Sequence, residues 1–180
     1  RVFREEGVRG ATTRRIAAEA GVNEVTLFRH FGTKEQLLVA AIRHDAGAHG
    51  VPPAGRPVDP AEALTAWVVT TSAWLSRSRG LIRASMEQFD AQPELCASSQ
   101  EGPARIRQSL ASWFAELRAD GLAHGDWDPV VASKLLMGAM FGEIMRPDAP
   151  ASPTTEELSS MASAYTHLVL RAIGADLKNP

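Results

Sequence analysis

The chain has 180 residues, 44% of them hydrophobic, and a formal net charge of −2 at pH 7. That much apolar material excludes a disordered chain, and the charge excludes a uniformly basic nucleic-acid binder. A single cysteine, Cys96, excludes an internal disulfide framework. No apolar run approaches the roughly 20 residues of a membrane helix, and the charged start lacks a secretory signal, so a cytoplasmic protein is expected. The chain starts without Met and in mid-helix, so some natural N-terminus is expected to precede it. Charge is uneven: residues 1–47 hold eight Arg/Lys against six acids, a head of +2, which leaves −4 for the remainder.

Period-2 alternation is absent and helical spacing recurs, predicting an all-α fold of about nine helices. A short helix over 1–6 stops at Gly7. Helices over 13–20 and 24–31 follow, separated by Gly21-Val22-Asn23, and a fourth runs from Thr33 toward Ala48. The stretch 50–60 holds four prolines and two glycines and marks a boundary between domains over 1–48 and 49–180. Asp59-Pro60 opens a helix to about 78, with Asp as N-cap and Pro at the first helical position. A shorter helix covers 80–91, and the next, over 103–120, places Ile106, Leu110, Trp113, Phe114 and Leu117 on one face. Asp128-Pro129 repeats the cap signal for a helix to about 145, apolar nearly all round and therefore covered on most sides. Thr154 and Glu157 form a capping box for the last helix, ending near 172.

Residues 12–35 read TTRRIAAEAGVNEVTLFRHFGTKE. Ile16, Ala17 and Ala20 share one face of the first short helix, and Leu27, Phe28 and Phe31 share one face of the second. Gly21 sits where a sharp turn needs positive φ. Two helices joined this way form a helix-turn-helix unit. Asn23, Glu24, Thr26, Arg29 and His30 then face outward, as residues that read base edges or grip phosphates must. A plain helical hairpin with a solvated polar face fits the same spacing.

The residues themselves go further. Thr12/Thr13, Ile16-Ala17, Ala20-Gly21-Val22, Thr26-Leu27-Phe28, His30-Phe31, Lys34-Glu35 and Leu37, with Phe3 and Gly7 upstream, resemble the N-terminal pattern of the TetR family of bacterial regulators. The match covers about the first 45 residues; the rest resembles the family in helix count and order only. The resemblance implies a three-helix helix-turn-helix DNA-binding domain, its first helix truncated, followed by a helical ligand-binding and dimerisation domain. Its partner would be double-stranded DNA carrying a palindromic operator. The DNA-binding residues it implies are Thr13, Arg14, Asn23, Glu24, Val25, Thr26, Phe28, Arg29, His30 and Lys34. Among them Arg14 suits a guanine edge, Val25 a thymine methyl, and Glu24 a cytosine amino group, unless Glu24 turns to Arg29 or solvent. His30 and Lys34 are placed as phosphate contacts. Phe28 stands where many relatives have Tyr, so a hydroxyl contact to phosphate is lost.

For the second domain the resemblance implies a homodimer through the last two helices, with Leu136, Met140, Leu158, Met161, Tyr165, Leu168 and Val169 at the interface. It also implies a small-molecule effector among the middle helices that moves the DNA-binding heads apart. Candidate lining residues are Trp67, Thr71, Trp74, Met86, Phe89, Trp113, Phe114, Met137 and Phe141, which favour an apolar or aromatic ligand. Glu87, Gln88, Asp90 and Glu143 lie close in sequence as groups to orient it. No cofactor, metal site or catalytic residue is expected, since phosphate loops, Ser-His-Asp order and metal spacing are absent. The function expected is a repressor released from its operator by ligand; the alternative is a helical enzyme or a protein-interaction module that does not bind DNA.

Overall fold

Polar caps set the starts of the helices. Thr12 Oγ1 accepts from Arg15 N at 3.1 Å, Asp59 Oδ1 from Ala61 N at 2.8 Å, and Asp128 Oδ1 from Val130 N at 2.7 Å. Thr154 and Glu157 close the expected capping box, Glu157 N to Thr154 Oγ1 at 3.1 Å and Thr154 N to Glu157 Oε2 at 2.7 Å. The computed structural model describes residues 1–49, 52–89, 93–150 and 152–175, with side chains except those of 4, 9, 45–49, 87–89 and 93–100. Its elements are α1 (Val2–Gly10), α2 (Thr13–Glu19), α3 (Glu24–Phe31), α4 (Lys34–His49), α5 (Pro60–Phe89), α6 (Pro93–Ala119), α7 (Pro129–Met145) and α8 (Thr155–Ala172).

The fold is all-α, with eight helices among the described residues where about nine were expected. The helix expected to end near 78 and restart at Gly80 is one unbroken α5. An interior glycine costs only about 1 kcal/mol, and Ser78, Ile82 and Ser85 around it are buried. Likewise α6 starts at Pro93 and continues through Pro103, which was expected to open a helix; local propensity is a weak prior that tertiary context overrides. Both positions lie near the points where the chain passes between two compact units, Arg1–Ala48 with Arg77–Gly102, and His49–Ser76 with Pro103–Pro180. Gly7 interrupts α1 with φ 68°, as a kink and not the expected end, and the helix resumes to Gly10.

The first unit is built around Val2, Phe3, Ala11, Ala17, Leu27, Leu37 and Leu38, with Ile16 and Phe31 partly buried against them. Gly21, at φ 66°, makes the turn between α2 and α3 that only glycine adopts freely. Ala20, assigned to the inner face of α2, is exposed.

The core of the second unit joins Leu64, Trp67 and Val68 of α5 to Leu110, Trp113, Phe114 and Leu117 of α6, Leu136 and Met140 of α7, and Ala162 and Leu170 of α8. The segment between α6 and α7 is tied down at His124. Its N–H donates to the carbonyls of Ile173 at 3.1 Å and Gly174 at 3.2 Å. Its own carbonyl accepts from Trp127 Nε1 at 3.0 Å. The Arg118 guanidinium lies 5.0 Å from the centre of the Trp127 ring and donates to its carbonyl at 3.0 Å. Among the described residues no helix is long and apolar enough to cross a membrane, and no group of three or more potential ligands is placed to hold a metal ion.

Candidate nucleic-acid interface

Helix α3 is capped by Asn23, whose Oδ1 accepts from Thr26 N at 2.7 Å. Leu27 anchors α3 in the core, and Phe31 is partly buried beside it. Val25 is left 76% exposed. Asn23, Arg29 and His30 are exposed, and Glu24 and Thr26 half-buried. Phe28, read as part of the inner face, is 43% exposed and so belongs to the outer surface. The His30 ring packs edge-on to Phe31 with centroids 4.7 Å apart.

Ion pairing sorts the basic residues of the head into two sets. Arg1 pairs with Glu5 at 3.3 Å and with Glu19, and Arg15 pairs with Glu6 at 3.4 Å. Arg43 reaches Glu101 at 3.4 Å. These contacts lie at the surface of the unit and offset the charge of its acids. They were not foreseen: apart from the i,i+4 pair Arg1–Glu5, they join partners across helices, which charge counts along the chain do not show. Arg14, Arg29 and Lys34 make no ion pair among the described residues. Glu24 turns neither to Arg29 nor to open solvent: the Thr13 hydroxyl, at the start of α2, donates to its Oε1.

Lys34 opens α4, where the helix dipole and free N–H groups favour an anion. Directly before it, Thr33 and Gln36 cap the helix reciprocally, Gln36 N to Thr33 Oγ1 and Thr33 N to Gln36 Oε1, each at 3.1 Å. Sequence reasoning missed this box, although the Thr-x-x-Gln spacing carries its signal.

The residues assigned to an effector pocket divide. Trp67, Thr71, Trp74, Trp113 and Phe114 are buried, and Met137 and Phe141 half-buried. Met86 is 46% exposed. The Glu87, Gln88, Phe89 and Cys96 side chains and Asp90 lie outside the described residues. Within the second unit, Trp67 Nε1, Thr71 Oγ1, Ser72 Oγ, Trp113 Nε1 and Thr166 Oγ1 are buried without a hydrogen-bond partner among the described residues. A cleft of about 530 Å³ lies elsewhere, lined by residues that include Glu143, Arg146, Pro153, Glu156 and Met161 but none of the nine expected lining residues.

Of the residues assigned to a dimer interface, Leu136 and Met140 have no exposed surface, and Leu158 is buried. Met161, Tyr165 and Val169 are half-buried, and Leu168 is 67% exposed. The Tyr165 hydroxyl donates to Glu143 Oε2 at 3.4 Å, and burial, with the Glu143 charge second, raises its pKa above the ordinary tyrosine value. The outward apolar surface of α7 is instead Val130, Val131 and Leu135.

Residues 1–41 match the family model for bacterial regulatory proteins of the tetR family. Over 46 residues the chain is 46% identical to the HTH-type transcriptional repressor AcnR of Corynebacterium efficiens, a stretch covering 26% of this chain and 24% of that repressor. Over 43 residues it is 46% identical to the HTH-type transcriptional repressor Rv3405c of Mycobacterium tuberculosis, covering 24% of this chain and 23% of the relative. The aligned segment thus spans about a quarter of the length of these curated relatives. The fold of nearly the whole chain is shared with solved structures. A protein from Mesorhizobium loti assigned to the TetR family superposes with a TM-score of 0.75 at 23% identity, covering 97% of this chain and 92% of that one. A transcriptional regulator from Rhodococcus sp. Rha1 superposes with a TM-score of 0.69 at 24% identity, covering 99% and 94%. The N-terminal segment is thus similar to the TetR family of bacterial regulatory proteins over residues 1–41, and the whole chain shares its fold with solved proteins assigned to that family.

Proposed function

We propose that the chain is a sequence-specific transcriptional repressor that binds a palindromic operator in double-stranded DNA as a homodimer and is released by a small molecule. The observation that carries this reading is the sorting of charge on the head. The cations on the recognition helix and beside it, Arg14, Arg29 and Lys34, are free of ion pairs among the described residues, whereas Arg1, Arg15 and Arg43 are spent inside the unit. Free cations around an exposed Val25 match what a major groove offers, phosphates on both walls and methyl groups on its floor. Arg14 and Val25 are the base readers in this account, with Thr26 behind them, and Lys34, Arg29 and His30 grip phosphate. The match of residues 1–41 to the model for bacterial regulatory proteins also favours a regulator over a helical enzyme.

Two copies are needed because one recognition helix reads too few bases for useful specificity. Leu135 and Leu168, each about two-thirds exposed, supply apolar surface on α7 and α8. Gly138 and Gly142 leave open space where a second backbone can approach. The effector reading rests on the unpartnered donors Trp67 Nε1, Thr71 Oγ1 and Trp113 Nε1. An apolar or aromatic ligand bearing one or two acceptor oxygens would give such donors their partners.

Selection of bound duplexes from a random pool by the purified chain tests the proposal. Recovery of a short inverted repeat supports it; a pool unchanged after repeated rounds rejects it and favours a protein-interaction module.

A further inference from the structure

Glu24 is the first residue of α3, and one hydrogen bond ties it to the helix before. The Thr13 hydroxyl, on the first residue of α2, donates to its Oε1, and both side chains are half-buried. The position suits a carboxylate, since the start of a helix carries partial positive charge. Its neighbour Asn23 spends its oxygen on the cap of the same helix. One oxygen of each side chain at the entry of α3 is therefore engaged within the protein, and the side chain presented furthest outward is the apolar Val25. A carboxylate that reads cytosine must swing clear of its own helix start, whereas this one is tethered to α2.

We propose that Glu24 is a positioning residue and not a base reader: through Thr13 it sets how α3 is held against α2, and its charge weakens attachment to DNA of every sequence. The proposal rests on the DNA-binding reading above. Its consequence for specificity is indirect. A negative charge close to the phosphates lowers sequence-independent binding, while the tether keeps Val25 and Arg14 in register with the groove.

The two roles separate in conservative variants. Glu24→Gln keeps an oxygen that accepts from Thr13 and removes the charge. It is expected to bind operator and unrelated DNA several-fold more tightly, with the same preferred base at every position. Thr13→Val keeps the charge and removes the donor, and is expected to lose operator affinity more than affinity for unrelated DNA. The measurement is the affinity of the full chain and both variants for the operator, for its complete set of single-base substitutions and for an unrelated duplex. Thermal melts run alongside, and if Thr13→Val melts early the Glu24→Gln profile alone decides. An unchanged profile with uniformly tighter binding supports the proposal. A changed preference at one base pair in Glu24→Gln overturns it, as does uniformly weaker binding. Absence of salt-sensitive DNA binding by the unaltered chain defeats the DNA-binding reading, and the proposal with it.

Discussion

Asn23 caps α3: its Oδ1 accepts the Thr26 N–H at 2.7 Å, one turn before the buried anchor Leu27. An eight-residue helix has little intrinsic stability, so this cap matters more than it would on a long one. Asn23→Ala is expected to cost about 1 kcal/mol, and Asn23→Asp almost nothing. Thermal unfolding checks this, with a melting temperature lower by roughly 2–4 °C per kcal/mol for a chain of this size.

Arg14 and Lys34 are both free of ion pairs among the described residues, but they are assigned different work. Lys34→Ala is expected to weaken binding to all sequences alike and to reduce the salt slope by about 1 per altered contact. Arg14→Ala is expected to lose about 1–3 kcal/mol and to relax the preference at one base pair. Affinities measured on operator variants at several salt concentrations distinguish the two. Equal, sequence-independent losses remove the base-reading role from Arg14.

Gly174 has φ 63°, and a Cβ there would lie 2.6 Å from the His124 carbonyl oxygen, a backbone atom that cannot turn aside. Gly174→Ala is expected to destabilise the chain by roughly 2–4 kcal/mol through backbone strain and overpacking together. Gly80→Ala is the control: Gly80 lies inside α5 with nothing within 4 Å of a Cβ. That change is expected to stabilise by about 0.5–1 kcal/mol. Denaturant titration of both variants reads the difference.

Much of this was legible in the sequence because it rests on local chemistry. Asp59, Asp128 and Thr154 announce their helices through side chains that bond three residues or fewer away. The turn at Gly21 was legible for the same reason. Breaks expected at Gly80 and Pro103 did not appear, because those residues weaken a helix by an amount that distant contacts outweigh. Glu19 as a partner of Arg1, and the partners of Arg15 and Glu24, were hidden for the complementary reason: these pairs meet across helices, where spacing along the chain carries no information. Leu136 and Met140 show the limit of periodicity on α7. A helix apolar on most sides does not declare which side its own chain will cover.

Thr166 is fully buried in α8, and its hydroxyl has no hydrogen-bond partner among the described residues. Thr166→Val removes that unsatisfied group while keeping the shape, so stability is expected to rise by about 1 kcal/mol. If the hydroxyl serves an effector, the same variant also responds less to it. A melting temperature that falls shows instead that the hydroxyl is satisfied in solution.

The central claim, that free cations on the helix-turn-helix grip phosphate while neighbouring side chains read bases, is tested most directly by affinity against salt concentration. The comparison is between the selected operator and a scrambled duplex of equal length. With about six phosphate contacts for the proposed dimer, affinity is expected to fall by roughly 10³ between 50 and 200 mM salt. The operator is expected to stay tighter than the scrambled duplex throughout. Affinity independent of salt, or equal for the two duplexes, contradicts the account.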